Sequence, residues 1–413
     1  MQNICSFLKF SFFMNGELQM VKSKQKSVLQ TMVEQLDLPD YVVEQAVRRY
    51  KSLGEWFDRE GSLFEKTAIE VFPQGSFALG TTIKPIEEEE EYDLDIGCKV
   101  KIGDYKSMHS QKYLKESLGT ELEAYRKAKG IKEKAESKHR CWRLEYQDEI
   151  KFHIDVVPCI PLGDAERKIY EQRINEFYQY PDELSENVAK FAINITDDRH
   201  KNYGLISPEW PASNPQGYLR WFQSRINSSK LILLNERTSI VPIQVYKQKS
   251  VLQRCIQLMK RHRDNMFADD KRKPISIIIT TLAARAYSGE TDLSVALMNI
   301  LEKMPRYINP SSPRIPNPVN PAEDFSDRWE MPESIELDLE GNFRNWLMQA
   351  QMDFKQILES KDENFKNRMV NEKFSLDINK SFNSEGHNKS SNHSISAIKK
   401  LPVNPPKIWG KDY

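Results

Sequence analysis

From about residue 25 to 60 the apolar residues Val28, Met32, Leu36, Val43, Ala46 and Tyr50 recur at helical spacing, with one break near Leu38-Pro39. Spacing of three and four puts one stripe of a helix against a core, so the stretch predicts two N-terminal helices. Residues 69 to 85, IEVFPQGSFALGTTIKP, pass from a strand signal into a turn of small residues. At YDLDIGCKV, 92 to 100, the period falls to two and predicts a strand, and 108 to 128 return to helical spacing. CWRLEY (141 to 146) and KFHIDVVPCI (151 to 160) are strand candidates joined by a short polar turn, which predicts a hairpin. Gly204, Pro208, Pro211, Pro215 and Gly217 make 198 to 230 a long irregular connection. Helical spacing then returns at 251 to 267, 274 to 287 and 292 to 304, the middle segment apolar enough to be buried. A proline-rich turn at 308 to 321 precedes one more helix near 339 to 359, and the tail after about 375, rich in Ser, Asn and Lys, predicts disorder.

The elements divide into a first lobe over 20 to 197, a connection over 198 to 240, a helical lobe over 241 to 370 and a flexible tail over 371 to 413. A chain of 413 residues is long enough for two such cores. Lys and Arg together number 60, as do Asp and Glu, so no net positive charge is available to grip long nucleic acid, and none is expected as a partner. Five cysteines without a C-x-x-C pair argue against a disulfide framework or a zinc cluster and suit a reducing cytoplasm. The first sixteen residues are apolar but lack a basic start and a small-residue cleavage site. They read as sequence upstream of a start at Met14 or Met20, or as a helix packed on the body. No stretch reaches the roughly 20 apolar residues of a membrane span, so a soluble protein is expected.

Asp93 and Asp95 are two apart on a predicted strand, so both point to one face with alpha carbons roughly 7 Å apart. Two such carboxylates repel unless a cation lies between them, and oxygen-only ligands suit magnesium or manganese. Alone, the pair also fits a solvated strand face. Asp155 lies between Ile154 and Val156 on a predicted central strand, where an ionised carboxylate needs a metal or a partner such as Arg143. Three carboxylates on adjacent strands can hold two ions about 4 Å apart, one activating an attacking oxygen and one supporting a triphosphate.

Gln74, Gly75 and Ser76 open the turn one element earlier, where Gly75 permits close backbone approach and Ser76 can donate to a phosphate oxygen. The run Glu87 to Glu91 reads as a solvated loop, and Tyr218, Trp221 and Phe222 as core rather than a stacking shelf. His153 shares the Asp155 face and is taken as packing or support.

Gly75-Ser76 with Thr81-Thr82, then Asp93 and Asp95, then His153-Ile154-Asp155, resembles the nucleotidyltransferase superfamily related to DNA polymerase beta. Within it the sequence is similar to the bacterial cGAS/DncV-like group, the CD-NTases of CBASS anti-phage systems, over roughly residues 25 to 330. Lys260 followed by Pro274-Ile275-Ser276 is similar to that family's phosphate and nucleotide contacts, the NPxNPxxDF stretch at 317 to 325 resembles its late loop, and Arg143 matches the place of a phosphate-contacting arginine. The resemblance implies an α/β (α+β) fold: a lobe with a mixed, mainly antiparallel sheet, a C-terminal helical lobe, and the active site in the cleft between them. It implies that a ribose hydroxyl attacks a nucleoside triphosphate, ATP among the substrates, that pyrophosphate leaves, and that the product closes into a cyclic di- or trinucleotide. Asp93 and Asp95 would bridge two Mg2+ ions, with Mn2+ a substitute, and Asp155 would bind the one that activates the hydroxyl. Ser76 and Lys260 would hold the donor triphosphate. The product would reach a separate effector in anti-phage defence, with operon partners for regulation. No zinc insertion for DNA sensing is found, and conjugation through the C-terminus is not expected because the chain ends on Tyr413. A linear oligonucleotide synthase, a transferase acting on another molecule and an inactive nucleotide-binding scaffold stand as alternatives. The scaffold predicts a missing carboxylate.

Overall fold

The computed structural model describes residues 27–65, 67–87, 90–148, 150–226, 239–246 and 248–379. The expectations for the N-terminal sixteen residues and for the tail beyond 379 lie outside these residues.

The two N-terminal helices are α1 (Val28–Leu36) and α2 (Asp40–Phe57). Ser27 caps the first by accepting from the Gln30 amide, and Leu38-Pro39 separates them. Strand β1 (Ala68–Gln74) runs into a one-turn helix α3 (Gly75–Leu79), and β2 (Tyr92–Lys101) follows. Next come α4 (Tyr105–Met108), α5 (Gln111–Ala128), β3 (Glu136–Ser137), β4 (Trp142–Tyr146) and β5 (Phe152–Pro161). The sheet order is β1-β2-β5-β4-β3. Strands β4 and β5 form the expected antiparallel pair, while β2 and β5 run parallel with Asp95 opposite Asp155. Two short strands, β6 (Ile193–Ile195) and β7 (Ala212–Ser213), extend the sheet from the far end of β5, and among the described strands only the β2–β5 pair is parallel. Residues 239–241 cover the free edge of β1: the Val71 amide donates to Ser239, the Val241 amide donates to Val71, and the buried Tyr50 hydroxyl reaches both the Val71 and Val241 carbonyls.

Helices also occupy stretches left unassigned from sequence or assigned otherwise, among them α6 (Asp164–Tyr178), α7 (Asp182–Ala189), α8 (Pro215–Ile226) and, near the C-terminus, α13 (Glu363–Phe374). Helix α8 corrects the irregular connection expected over 198–240. Pro215 takes its first position, where no amide is needed, and the Asn214 side chain accepts from the Gly217 amide. Tyr218, Trp221 and Phe222 are buried on it. Helix α13 corrects the tail boundary at 371, since Phe374 and Leu376 are buried. Between these lie α9 (Val251–Phe267), α10 (Ser276–Ala286), α11 (Leu293–Lys303), the hairpin of β8 (Pro316–Asn317) and β9 (Asn320–Asp324), and α12 (Leu339–Glu359).

The apolar interior gathers mainly into two clusters. One joins the sheet to α2 and α5 through residues such as Leu53, Leu94, Leu118 and Ile154. The other is helical, and it draws in Leu29, Met32, Val33 and Leu36 of α1 as well as Tyr170 and Ile174 of α6. The lobe boundary at 197 therefore does not divide the packing, because amphipathic helices from the first half bury their stripes in the helical core. Helix α3 stands where the cores meet, sending Phe77 into the sheet cluster and Ala78 and Leu79 into the helical one.

Candidate active site

The alternation of β2 buries Leu94 and Ile96 and leaves Asp93 and Asp95 on the opposite face. The same alternation on β5 buries Ile154 and Val156 and puts Asp155 beside Asp95, while β4 sets Arg143 directly opposite Asp155. Asp95, Asp155 and Arg143 thus form one row across three strands. Arg143 donates to both oxygens of Asp155, Nε at 2.7 Å and Nη2 at 2.8 Å. Burial, followed by repulsion from Asp155 and Asp93, lifts Asp95 from an ordinary 3.8 to about 7. Asp93 is raised as well, first by the protein around it, although its side chain opens to solvent. His153, opposite Asp93 in the register, pairs with Glu91.

Gln74 pairs with Asp95 in the β1–β2 register and ends the strand, and Gly75 turns the chain with φ +64°. A β-carbon on Gly75 would stand 1.9 Å from Asp95 Oδ2. The missing side chain is what lets the turn lie against the carboxylate. Ser76 hydrogen-bonds Thr82 hydroxyl to hydroxyl at 3.0 Å, and the Thr81 amide donates to the Ser76 carbonyl.

Helix α9 holds this turn. Its residues 253, 257, 260 and 261 share one helical face. Gln253 donates to the Leu79 carbonyl (2.8 Å), Lys260 to Thr81 (2.9 Å), Gln257 to Thr82 (2.9 Å) and Arg261 to Lys84. Lys260 is buried, and desolvation lowers its ammonium to about 8 despite the attraction of Asp93 and Asp95. The structure thus places Lys260 beneath the turn, bonded to backbone. Ser276, at the start of α10, is held by Arg263 Nη1 at 2.7 Å, one turn beyond Lys260. The late loop reaches the same region: a cavity of about 150 Å³ beside Gly75 is lined by Tyr218, Asn317, Glu323 and Phe325. Tyr170, Tyr178 and Tyr180 donate to the Val319, Asn317 and Pro318 carbonyls and anchor that loop.

Gln253, Gln257 and Arg261 were not singled out from sequence. Their signal was the recurrence of Gln253, Gln257 and Arg261 every four residues beside the apolar stripe of the helix. Gln257→Leu is expected to strand the Thr82 carbonyl, cost about 2 kcal/mol and raise KM for nucleotide more than it lowers kcat, as checked by thermal unfolding and steady-state kinetics.

Strand register brings together a donor set of oxygens alone, with Asp95 and Asp155 adjacent and Asp93 open, and their mutual repulsion is what a divalent cation relieves. As the side chains stand, no three His, Cys, Asp or Glu among the described residues converge as a metal cage, and Asp155 is turned to Arg143. The chemistry of the site fits a cation once that ion pair opens.

The family of Cyclic GMP-AMP synthase DncV-like nucleotidyltransferase domains matches residues 69–159, which span β1 to β5. A c-di-GMP synthase of Roseivirga ehrenbergii is 32% identical over 319 residues, covering 75% of this chain and 74% of its own. The cyclic dinucleotide synthase CdnG of Bradyrhizobium diazoefficiens is 26% identical over 315 residues, 75% of this chain and 70% of its own. Among solved structures, that CD-NTase in complex with GTP superposes with a TM-score of 0.57 at 22% identity, covering 84% of this chain and 94% of its own. Vibrio cholerae DncV superposes at 0.51 with 14% identity, covering 84% and 93%, and shares the fold. The chain therefore belongs to the DncV-like nucleotidyltransferases, the CD-NTases.

Proposed function

We propose that the chain joins two nucleoside triphosphates into a cyclic dinucleotide and releases pyrophosphate, with GTP the first substrate to test. The observation that carries this is the contact of the Gly75-Ser76 turn with Asp95, itself beside Asp155: a glycine turn and a pair of carboxylates meet at one point. The names of the relatives, c-di-GMP synthase and cyclic dinucleotide synthase, support guanine and a ring of two. A cyclic trinucleotide and ATP remain arms of the test.

In this proposal Ser76 and the backbone around Gly75 hold the donor phosphates, and α9 fixes the turn through Gln253, Gln257 and Lys260. Lys260 contributes positive charge from beneath. Asp93, Asp95 and Asp155 would hold Mg2+ or Mn2+, which lowers the acidity barrier of the attacking hydroxyl and offsets phosphate charge when bound. Asp155, once free of Arg143, would bind the ion that activates the hydroxyl and would help take its proton. Arg143 and Ser276 would meet phosphate and nucleotide. Ribose attack displaces pyrophosphate, and a second transfer between the ends closes the ring. The family assignment supports a place in CBASS anti-phage defence, with the product acting on a separate cytoplasmic effector. Among the described residues no helix is long and apolar enough to cross a membrane.

Because Asp95 ionises only near pH 7, protons compete with the cation. Mg2+ affinity is expected to fall about tenfold between pH 8 and pH 6, measured by titration calorimetry on nucleotide-free protein. An affinity flat across that range would remove Asp95 from the ligand set. The activity itself is tested by incubating purified protein with labelled GTP, ATP, CTP and UTP plus Mg2+, followed by phosphatase. A phosphatase-resistant product containing guanine is expected. A product fully digested by phosphatase would point to a linear synthase.

A further inference from the structure

Asp155 stands between a negative and a positive neighbour, Asp95 on β2 and Arg143 on β4, and it faces the positive one. Both carboxylate oxygens are engaged by the guanidinium, side by side, with the pair about three-quarters shielded from solvent. A fork of two parallel charge-assisted bonds has strict geometry and is not shared with a third partner at no cost. The consequence concerns order of events. A cation that draws ligands from all three aspartates must take Asp155 away from Arg143.

We propose that Arg143 is a latch on Asp155: it keeps the third carboxylate neutralised and turned aside in the resting protein, and cation binding exchanges this ion pair for metal ligation. The inference rests on the metal-binding reading of the three aspartates. Without the latch, three carboxylates would share one sheet face with the charges of Lys260 and His153 alone to offset them, and they would hold a cation whether or not nucleotide was present. With it, resting affinity is lowered, and the released guanidinium presents unpaired donors on the sheet face that carries the aspartates. Arg143 is then a positioning residue that acts through Asp155 before any phosphate contact of its own. Among the described residues its side chain hydrogen-bonds Asp155 alone, so the exchange need not break a wider network.

The test is Mn2+ binding to the full chain without nucleotide, read by electron paramagnetic resonance. Arg143→Gln is expected to bind Mn2+ about tenfold more tightly than the unaltered protein, and Arg143→Lys, which keeps the charge but loses the fork, by a smaller factor. Adding Asp155→Asn to Arg143→Gln should erase the gain, since the effect runs through that pair. Thermal unfolding of each variant reports folding, and Arg143→Lys carries the same comparison if Arg143→Gln does not fold. Unchanged or weaker Mn2+ binding in the arginine variants, with normal binding in the parent, overturns the latch and leaves the metal site standing. Binding in the parent that Asp93→Asn, Asp95→Asn and Asp155→Asn all leave untouched overturns the metal reading and the latch together.

Discussion

Asp95→Asn is expected to lower nucleotidyl transfer about a thousandfold while making the metal-free protein more stable at pH 8. The two effects share one cause. Asp95 is half-buried beside two other carboxylates, and its folded-state pKa of about 7 lies above its ordinary 3.8. Between those values the folded protein holds a proton that the unfolded chain has lost. The stability of the metal-free protein therefore falls as pH rises through that window and levels off above 7. A shift of this size corresponds to roughly 4 kcal/mol, and the partial exposure of the side chain reduces the expected gain on neutralisation to about 2 kcal/mol, or a few degrees in Tm. Thermal unfolding in chelator should show the gain at pH 8 and none at pH 4. A variant destabilised at both pH values would mean that the carboxylate is held by favourable partners.

Gly75→Ala is expected to be nearly as damaging to activity, about a hundredfold, through a different route. The added carbon meets Asp95 Oδ2 at 1.9 Å, and at φ +64° an alanine is strained even without a neighbour. Either the turn lifts away from the strand or Asp95 swings out of the row with Asp155. Both would separate the backbone proposed to hold phosphate from the carboxylates. The substitution should also destabilise the fold by about 1–3 kcal/mol, read by thermal unfolding. Ser76→Ala keeps the turn and loses one hydroxyl, so its loss should be near tenfold. Equal kinetics for Gly75→Ala and the parent would sever the turn from the reaction.

The local parts of this site were legible in the chain. Period-two alternation put Asp93 and Asp95 on one face, and the hairpin signal between 141 and 160 gave the β4–β5 pair with Arg143 across from Asp155. The parallel β2–β5 register was not legible, because about fifty residues and α5 intervene and no local pattern encodes the pairing. Arg143 illustrates the limit. Both readings of Asp155, metal ligand or ion pair with that arginine, were available from sequence, and the resting structure contains the ion pair.

Proline and glycine caused the miss at α8, where Pro215 begins a helix and does not break one. The N-terminal helix was found by its stripe, yet a stripe does not say which core will cover it. Leu29 and Leu36 went to the helical cluster. Lys260 was singled out for phosphate, and the structure binds it to the Thr81 carbonyl, a role that becomes visible only when α9 is packed against the turn.

The central claim is that Asp93, Asp95 and Asp155 carry metal-dependent nucleotidyl transfer. Pyrophosphate release from GTP should appear with the parent protein and Mg2+, vanish in chelator, and fall below detection in Asp93→Ala with Asp95→Ala, whose circular dichroism stays that of the folded protein. Full release by that double variant, or by the parent in chelator, would contradict the account.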